Sequence, residues 1–233
     1  MKYISFFALI ILAAACRHSK TGSGNIVTEK RSTESFMGIH ADGPVHVEIR
    51  RGAPSVTVEA DDNIITYIET KVSGGTLDVR LRDINSLRNA TVNVYVTVPE
   101  LRSLNSSAAA EIISKDTISS PDHINLKASS SGKITLIADV PAVTTDASSG
   151  GNIYISGRTR DVTADASSGA SVHASGLKAE YATADASSGA NVRIFGSITI
   201  MATASSGGNV KYTGGAANVK KNESSGGSVD EGE

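Results

Sequence analysis

Apolar and polar residues alternate along most of the chain, with the period of two that is typical of β-strands. Runs such as "NIYIS", "SVHAS" and "NVRIF" are each followed by a glycine and then by a second run such as "DVTADAS". This pattern excludes a repeat built from helices. The residues that it predicts to face inward are Ile153, Ile155, Val162, Ala164, Ala166, Val172, Ala174, Val192 and Ile194. Alanine at several of these positions indicates a narrow interior.

The alternating runs recur with a fixed repeat length. The first serines of successive Ser-Ser pairs are Ser106, Ser129, Ser148, Ser167, Ser187, Ser205 and Ser224, so the intervals are 23, 19, 19, 20, 18 and 19 residues. A second marker, Gly157, Gly176, Gly196 and Gly214, has intervals of 19, 20 and 18. Two markers with one period predict an all-β, single-stranded parallel β-helix (β-solenoid) with rungs of about 19 residues, stacked at the ~4.8 Å strand spacing. The "SSG" triplets are predicted corners, where glycine permits the turn and serine hydroxyls satisfy corner backbone groups.

The β-helix domain is predicted over residues 27–225, with SSG repeats in 105–225 and less regular strands in 27–104. In the less regular part, "VHVEI", "VTVEA", "TLDVRL" and "ATVNVYVTV" alternate and are separated by turn signals. "DDNIITYIET" predicts a short helical turn capped by Asp62. Residues 226–233 are predicted to be a frayed acidic tail.

The N-terminus has the features of a secretory signal. Lys2 is followed by an apolar run from Ile4 to Leu12, three alanines and Cys16, which is the only cysteine. "LAAAC" resembles the bacterial lipoprotein processing box, which implies removal of residues 1–15 and a lipid anchor on Cys16. Residues 16–26 are then a lipidated cysteine and a flexible linker. "RHSK" has no Asp at the second position, and the resemblance therefore implies the outer membrane of the cell envelope.

Composition and residue spacing argue against several classes of function for this protein. The 233 residues carry a formal charge of −2, no Trp and four Phe, and no block of Lys and Arg, so nucleic acid is not an expected partner. The five His show no metal-ligand spacing. The serines lie in corners and not in the strand-to-helix elbow of a hydrolase.

One predicted outward column carries like charges on neighbouring rungs: Lys127, Asp146, Asp165, Asp185, Thr203 and Asn222. Calcium suits stacked carboxylates, but a solvated column without any cofactor is the favoured interpretation. A glycosidase pair is a further alternative, because retaining enzymes hold two carboxyl groups about 5–5.5 Å apart. Against catalysis, the three Asp are expected to share equivalent environments, whereas an acid and a nucleophile need different pKa values.

A second outward column contains Thr135, Tyr154, His173, Arg193 and Lys211. Rings, hydrogen-bond donors and positive charge in one line favour an anionic or sugar ligand. A mixed solvated strand face is the alternative.

The order "FMGIHADGPVHVEI", "VTVEADDNIITYIETKVSGGTLDVRL", "VNVYVTVPELRSLNSSAAAEI" and then repeated "SSGGNI" units resembles the head GIN domain family of auto-transporter adhesins, over roughly residues 30 to 225. The resemblance implies a right-handed β-helix in a cell-envelope protein and supplies no catalytic residues. Together with the lipid anchor, it favours a non-enzymatic adhesin-like or scaffold module that binds a surface glycan or protein. A carbohydrate-active enzyme using Asp146, Asp165 and Asp185 is the alternative, and the oligomeric state stays open.

Overall fold

The computed structural model describes residues 19–84 and 86–232, and strands make up most of them. In chain order the strands are β1 Ser19–Thr21, β2 Ile26–Arg31, β3 Gly38–Asp42, β4 His46–Arg51, β5 Ser55–Asp61, β6 Ile68–Ser73, β7 Thr76–Leu81, β8 Ser86–Arg88, β9 Val92–Val98, β10 Ser103–Ser107, β11 Glu111–Ser119, β12 His123–Ala128, β13 Lys133–Asp139, β14 Ala142–Ala147, β15 Asn152–Arg158, β16 Asp161–Ala166, β17 Ser171–Lys178, β18 Tyr181–Ala186, β19 Asn191–Phe195, β20 Thr199–Ala204, β21 Asn209–Thr213, β22 Asn218–Glu223 and β23 Ser228–Glu231. The signal segment and Cys16 lie outside the described residues.

The strands form two large sheets and one small one. Sheet 1 has the order β22-β20-β18-β16-β14-β12-β10-β3-β7-β6, and sheet 2 has the order β2-β5-β9-β4-β11-β13-β15-β17-β19-β21-β23. From β10 onward the chain alternates between the sheets, and each strand pairs in parallel with the equivalent strand of the next rung. The predicted all-β parallel β-solenoid is therefore confirmed.

The core lies between the two sheets. All nine residues that the alternation predicted to face inward are at most 5% exposed. Each buried Val or Ile side chain contributes roughly 1.5–3 kcal/mol relative to exposure. Alanines of sheet 1, such as Ala164 and Ala184, allow the sheets to approach closely.

Each Ser-Ser-Gly corner is a tight turn with two consecutive left-handed residues. At the corner after β14, Ser149 has φ 49° and Gly150 has φ 73°, and the Gly151 N–H donates to the Ser148 carbonyl at 2.8 Å. Positive φ at both central positions is characteristic of a type I′ turn. The Gly150 N–H then donates to the Ser168 carbonyl of the next rung at 3.2 Å.

Backbone groups, and not mainly serine hydroxyls, therefore hold the corners together, which corrects the sequence prediction. The register of β10 with β12 pairs Ser106 with Ala128, so Ser107 and not Ser106 is the equivalent of the corner residue Ser129. Within the described residues, the serine hydroxyl that bonds the backbone of a corner is that of Ser106, which lies in β10 just before the turn. It donates to the Ala110 carbonyl at 2.8 Å and accepts from the Lys133 N–H at 3.1 Å.

The N-terminal part departs from the simple order of rungs. The rung of β3 and β4 lies between the rung of β7 and β9 and the rung of β10 and β11, because β3 pairs with both β7 and β10 and β4 pairs with both β9 and β11. Strands β2, β5 and β6 run antiparallel to their partners and end the two sheets at this side. The chain thus returns on itself here before the solenoid continues.

Residues 19–25 do not form the flexible linker that the sequence predicted. β1 pairs with β8, and Asp61, 2% exposed, accepts from the Gly24 N–H at 2.7 Å. Asp62 accepts from Ser23 and Asn25, which lowers its pKa. The carboxylates of Asp61, the last residue of β5, and of Asp62 after it therefore fix this segment to the solenoid.

The predicted helical turn exists as a single 3-10 turn, Ile65–Tyr67, but its cap differs from the prediction. The N-cap is Ile64, which makes no side-chain capping hydrogen bond. Asp62 does not cap the turn because its carboxylate bonds Ser23 and Asn25 instead.

The C-terminal end is ordered further than the predicted frayed tail, since β23 pairs in parallel with β21. In β22 the register places Lys221 and Glu223 beside the inward-facing Ala202 and Ala204 of β20. The Lys221 ammonium donates to the Val229 carbonyl at 3.3 Å, and the Glu223 carboxylate accepts from the Val229 N–H at 2.6 Å. Inward charges of this kind oppose further strand addition at a sheet edge.

In the two described ranges, no helix has the length and apolar character needed to cross a bilayer.

Candidate functional site

The outer face of sheet 2 carries the predicted ligand column, called the Tyr154 stripe: Thr135, Tyr154, His173, Arg193 and Lys211. Strand register brings these residues side by side on β13, β15, β17, β19 and β21, as the repeat predicted. Because parallel strands lie about 4.8 Å apart, the stripe is roughly 19 Å long.

Two rings of the stripe are stacked. The Tyr154 and His173 ring centroids are 4.6 Å apart with an interplanar angle of 4°. The Lys133 ammonium lies 5.7 Å from the centroid of Tyr154. Partial burial, and then the charge of Arg193, lower the pKa of His173. His173 is therefore neutral at physiological pH, and Arg193 and Lys211 carry the positive charge of the stripe.

A polar ladder runs beside the stripe, two positions before it on each strand: Asn152, Ser171, Asn191 and Asn209. The Asn152 amide donates to the Gly150 carbonyl at 2.9 Å, which ties the ladder to a corner. The ladder and the stripe together offer amides, rings and cations on one regular surface. Such a surface suits a sugar or an anionic polymer, whose hydroxyl and acidic groups accept from these donors.

The outer face of sheet 1 carries the second predicted column, called the Asp column: Lys127, Asp146, Asp165, Asp185, Thr203 and Asn222. The predicted alignment is present, with Asp165 between Asp146 and Asp185. The three carboxylates and the neighbouring Ser167 and Ser187 line a shallow depression of about 280 Å³.

The three Asp are not equivalent, which differs from the expectation. The pKa of Asp165 is raised, first by partial burial and then by the charges of Asp185 and Asp146. Asp165 is the member with a carboxylate on both sides, whereas Asp146 has Lys127 on its other side. Partial burial is therefore the larger cause of the raised pKa of Asp165, and its position between two carboxylates adds to it.

Metal-binding geometry is not found in the described ranges, where no group of three or more His, Cys, Asp or Glu side chains is arranged to hold an ion. Three histidines each lie beside one carboxylate: His40 with Asp78 at 3.1 Å, His46 with Glu111 at 3.2 Å and His123 with Asp122 at 2.8 Å. Calcium binding at the Asp column stays a prediction.

A groove of about 540 Å³ lies on the edge where sheet 2 strands return to sheet 1, and the sequence did not point to it. Its lining includes Arg158, Arg160, Lys178, Glu180 and Phe195. Arg158 pairs with Asp139 at 3.4 Å and Arg160 with Asp161 at 2.7 Å. The one signal in the sequence is the change in repeat length from 20 to 18 residues at Ser187.

Several solved structures share this fold over nearly the whole chain. A putative adhesin of Bacteroides fragilis has a TM-score of 0.83 and 14% identity, covering 91% of this chain and 99% of its own. A putative lipid binding protein of Parabacteroides distasonis has a TM-score of 0.72 and 19% identity, and the match covers 92% of this chain and 100% of that chain. A putative adhesin of Parabacteroides merdae has a TM-score of 0.71 and 16% identity, and the match covers 93% of this chain and 100% of that chain. At these identities the likeness shows the fold alone.

No curated protein matches the chain. One family model matches residues 35–216, the greater part of the sequence, and the family is described as "Putative auto-transporter adhesin, head GIN domain". The chain therefore belongs to this head GIN domain family.

Proposed function

We propose that the protein is a non-enzymatic, adhesin-like module of the bacterial cell envelope, and that its Tyr154 stripe binds a glycan or a protein on a surface. The observation that carries the proposal is the regular line of stacked rings and cations on β15, β17, β19 and β21. The family description supports an adhesin-like role. A solenoid face offers extended contact area without a deep pocket.

The test compares two charge-matched variants of the full-length protein in detergent on glycan and protein arrays. Arg193→Gln with Lys211→Gln removes two cations from the stripe, and Lys127→Gln with Lys220→Gln removes two from the outer face of sheet 1. We expect the first pair to weaken array binding about ten-fold or more and the second pair to leave it unchanged, since one charged hydrogen bond contributes about 1.5–3 kcal/mol. Equal effects of both pairs, or no bound ligand on either array, would contradict the proposal.

We also propose that the module carries a lipid anchor at Cys16 and resides in the outer membrane. The support is the order of Lys2, apolar run, small residues and single cysteine. Metabolic labelling with a palmitate analogue should label the wild-type protein and not the Cys16→Ser variant, and the variant should leave the membrane fraction. Unchanged labelling of the variant would refute the anchor.

The raised pKa of Asp165 favours one alternative, a carbohydrate-active enzyme that uses the Asp column. In that case Asp165→Asn would abolish cleavage of a polysaccharide and leave the fold intact. A panel of plant, bacterial and animal polysaccharides without any cleavage by the wild-type protein would remove this alternative.

A further inference from the structure

The groove at the return edge arises from a step between neighbouring rungs. Ser171 of β17 pairs with Asn191 of β19. β17 extends seven residues beyond Ser171, whereas β19 extends only four residues beyond Asn191. A register shift within β17 absorbs one residue of this difference. The remaining two residues make β19 roughly 6.6 Å shorter than β17. The end of β17 therefore overhangs the connection from β19 to β20.

The walls of the groove are held by hydrogen bonds between rungs. The Thr159 hydroxyl, on a residue 9% exposed, lies 3.1 Å from the Pro141 carbonyl and 3.0 Å from the Asp161 carbonyl. On the other side the Ser197 N–H donates to the Ala179 carbonyl at 3.0 Å. These bonds are internal to the protein and define the shape of the groove.

The groove offers one cation without an acidic partner. In the described part of the chain, no carboxylate lies within 4 Å of the Lys178 ammonium, which lies over the Phe195 ring at 4.0 Å from its centroid. Arg158 and Arg160 each bond one carboxylate and retain further N–H groups, because a guanidinium has five. The Glu180 carboxylate supplies acceptors in the same groove.

We propose that this groove binds an acidic saccharide of one or two units, with the ligand carboxylate on Lys178. The volume of about 540 Å³ lies in the 300–1,000 Å³ range of small-ligand sites. The exposed Pro141 and the partly exposed Phe195 ring offer apolar surface to the C–H face of a sugar ring. Guanidinium donors and the Glu180 acceptor match hydroxyl groups, which both donate and accept. The site is separate from the Tyr154 stripe and goes beyond the proposed function.

The test is an NMR saturation-transfer titration of the full-length protein in detergent with digalacturonic acid, using its neutral dimethyl ester as the matched ligand. We expect the acid to bind and the ester to bind about ten-fold more weakly or not at all, because the charged hydrogen bond to Lys178 is lost. Lys178→Gln should produce the same loss with the acid, and Lys178→Arg should retain binding. Lys220→Gln, on the outer face of sheet 1, should have no effect.

Absence of binding, equal binding of acid and ester, or equal losses in Lys178→Gln and Lys220→Gln would overturn the proposal. Binding of an acidic hexapeptide in the groove, without binding of the sugar, would also overturn it. Arg193→Gln should leave this titration unchanged, so that failure at the Tyr154 stripe and failure at the groove are separate results. Thermal unfolding of Lys178→Gln checks that the variant is folded. If it is not, Phe195→Leu is used instead, because it keeps the apolar contact and removes the ring beneath Lys178. This second variant should weaken binding of the acid.

Discussion

Replacing Asp165 by Asn should stabilise the protein at neutral pH. Asp165 has a carboxylate beside it on each neighbouring strand, and Asn removes both repulsions while keeping nearly the same shape. Two unit charges about 4.8 Å apart interact with roughly 0.9 kcal/mol in water, and screening at physiological salt reduces this to about 0.5 kcal/mol. For the two pairs of this partly exposed side chain we therefore expect about 1 kcal/mol, or about 2–4 °C in the unfolding midpoint.

The pH dependence separates charge repulsion from any effect of the amide itself. Because the pKa of Asp165 is raised above its ordinary value of 3.8, the folded state binds more protons than the unfolded state in the window just above that value. Stability contributed by this group therefore falls as the pH rises through that window. The advantage of Asp165→Asn should be complete at pH 7 and absent at pH 3.

The assay is thermal and urea unfolding followed by circular dichroism, in EDTA, at pH 7 and pH 3. Asp146→Asn is the matched control, because Asp146 loses one repulsion from Asp165 and one attraction from Lys127, so its midpoint should change little. An Asp165→Asn variant no more stable than wild type at pH 7 would refute the reasoning, and so would a gain that persists at pH 3.

Three further predictions use the same unfolding measurement, and the calcium test is run in buffer without EDTA. If the Asp column binds calcium, 1 mM Ca²⁺ should raise the midpoint of the wild-type protein and not that of Asp165→Asn; the same shift in both would exclude the column as the site. Ala109→Gly should stabilise by about 0.5–1 kcal/mol, because Ala109 has φ 67° where glycine has no steric penalty; destabilisation would contradict this interpretation of the corner. The lowered pKa of His173 means that the unfolded state gains a proton first as the pH falls below 6.5, so stability should decrease there. His173→Gln should reduce that decrease, and an unchanged profile would argue against a partly buried, neutral His173 ring.

The repeat made the solenoid and both surface columns predictable from sequence. A strict inward-outward alternation fixes which residues face the core, and equal spacing fixes which residues become neighbours on adjacent strands. Tyr154 and His173 could therefore be paired from their positions in the repeat. Their stacking distance and the lowered pKa of His173 could not be predicted, because both depend on partial burial.

Features without a repeat were missed or only partly predicted. The bonds from Asp61 and Asp62 to residues 23–25 join positions about 37 residues apart, and nothing in the local sequence indicates them. The corner prediction identified the glycine but not the left-handed Ser149 before it. The groove forms because two neighbouring repeats differ in strand length. A periodic pattern reveals only the features that the repeats have in common, so it could not indicate the groove.

The position of the β3–β4 rung determines the order in which the molecule can assemble. A chain that emerges from its N-terminus makes this rung early, but one side of it stays uncovered until β7 and β9 have returned beneath it. Residues 38–98 must therefore close as one cooperative unit, with loops of several tens of residues. Each later rung pairs with strands that are already folded, and only a short connection separates it from them. From β10 onward, folding therefore proceeds one rung at a time from the N-terminal rungs.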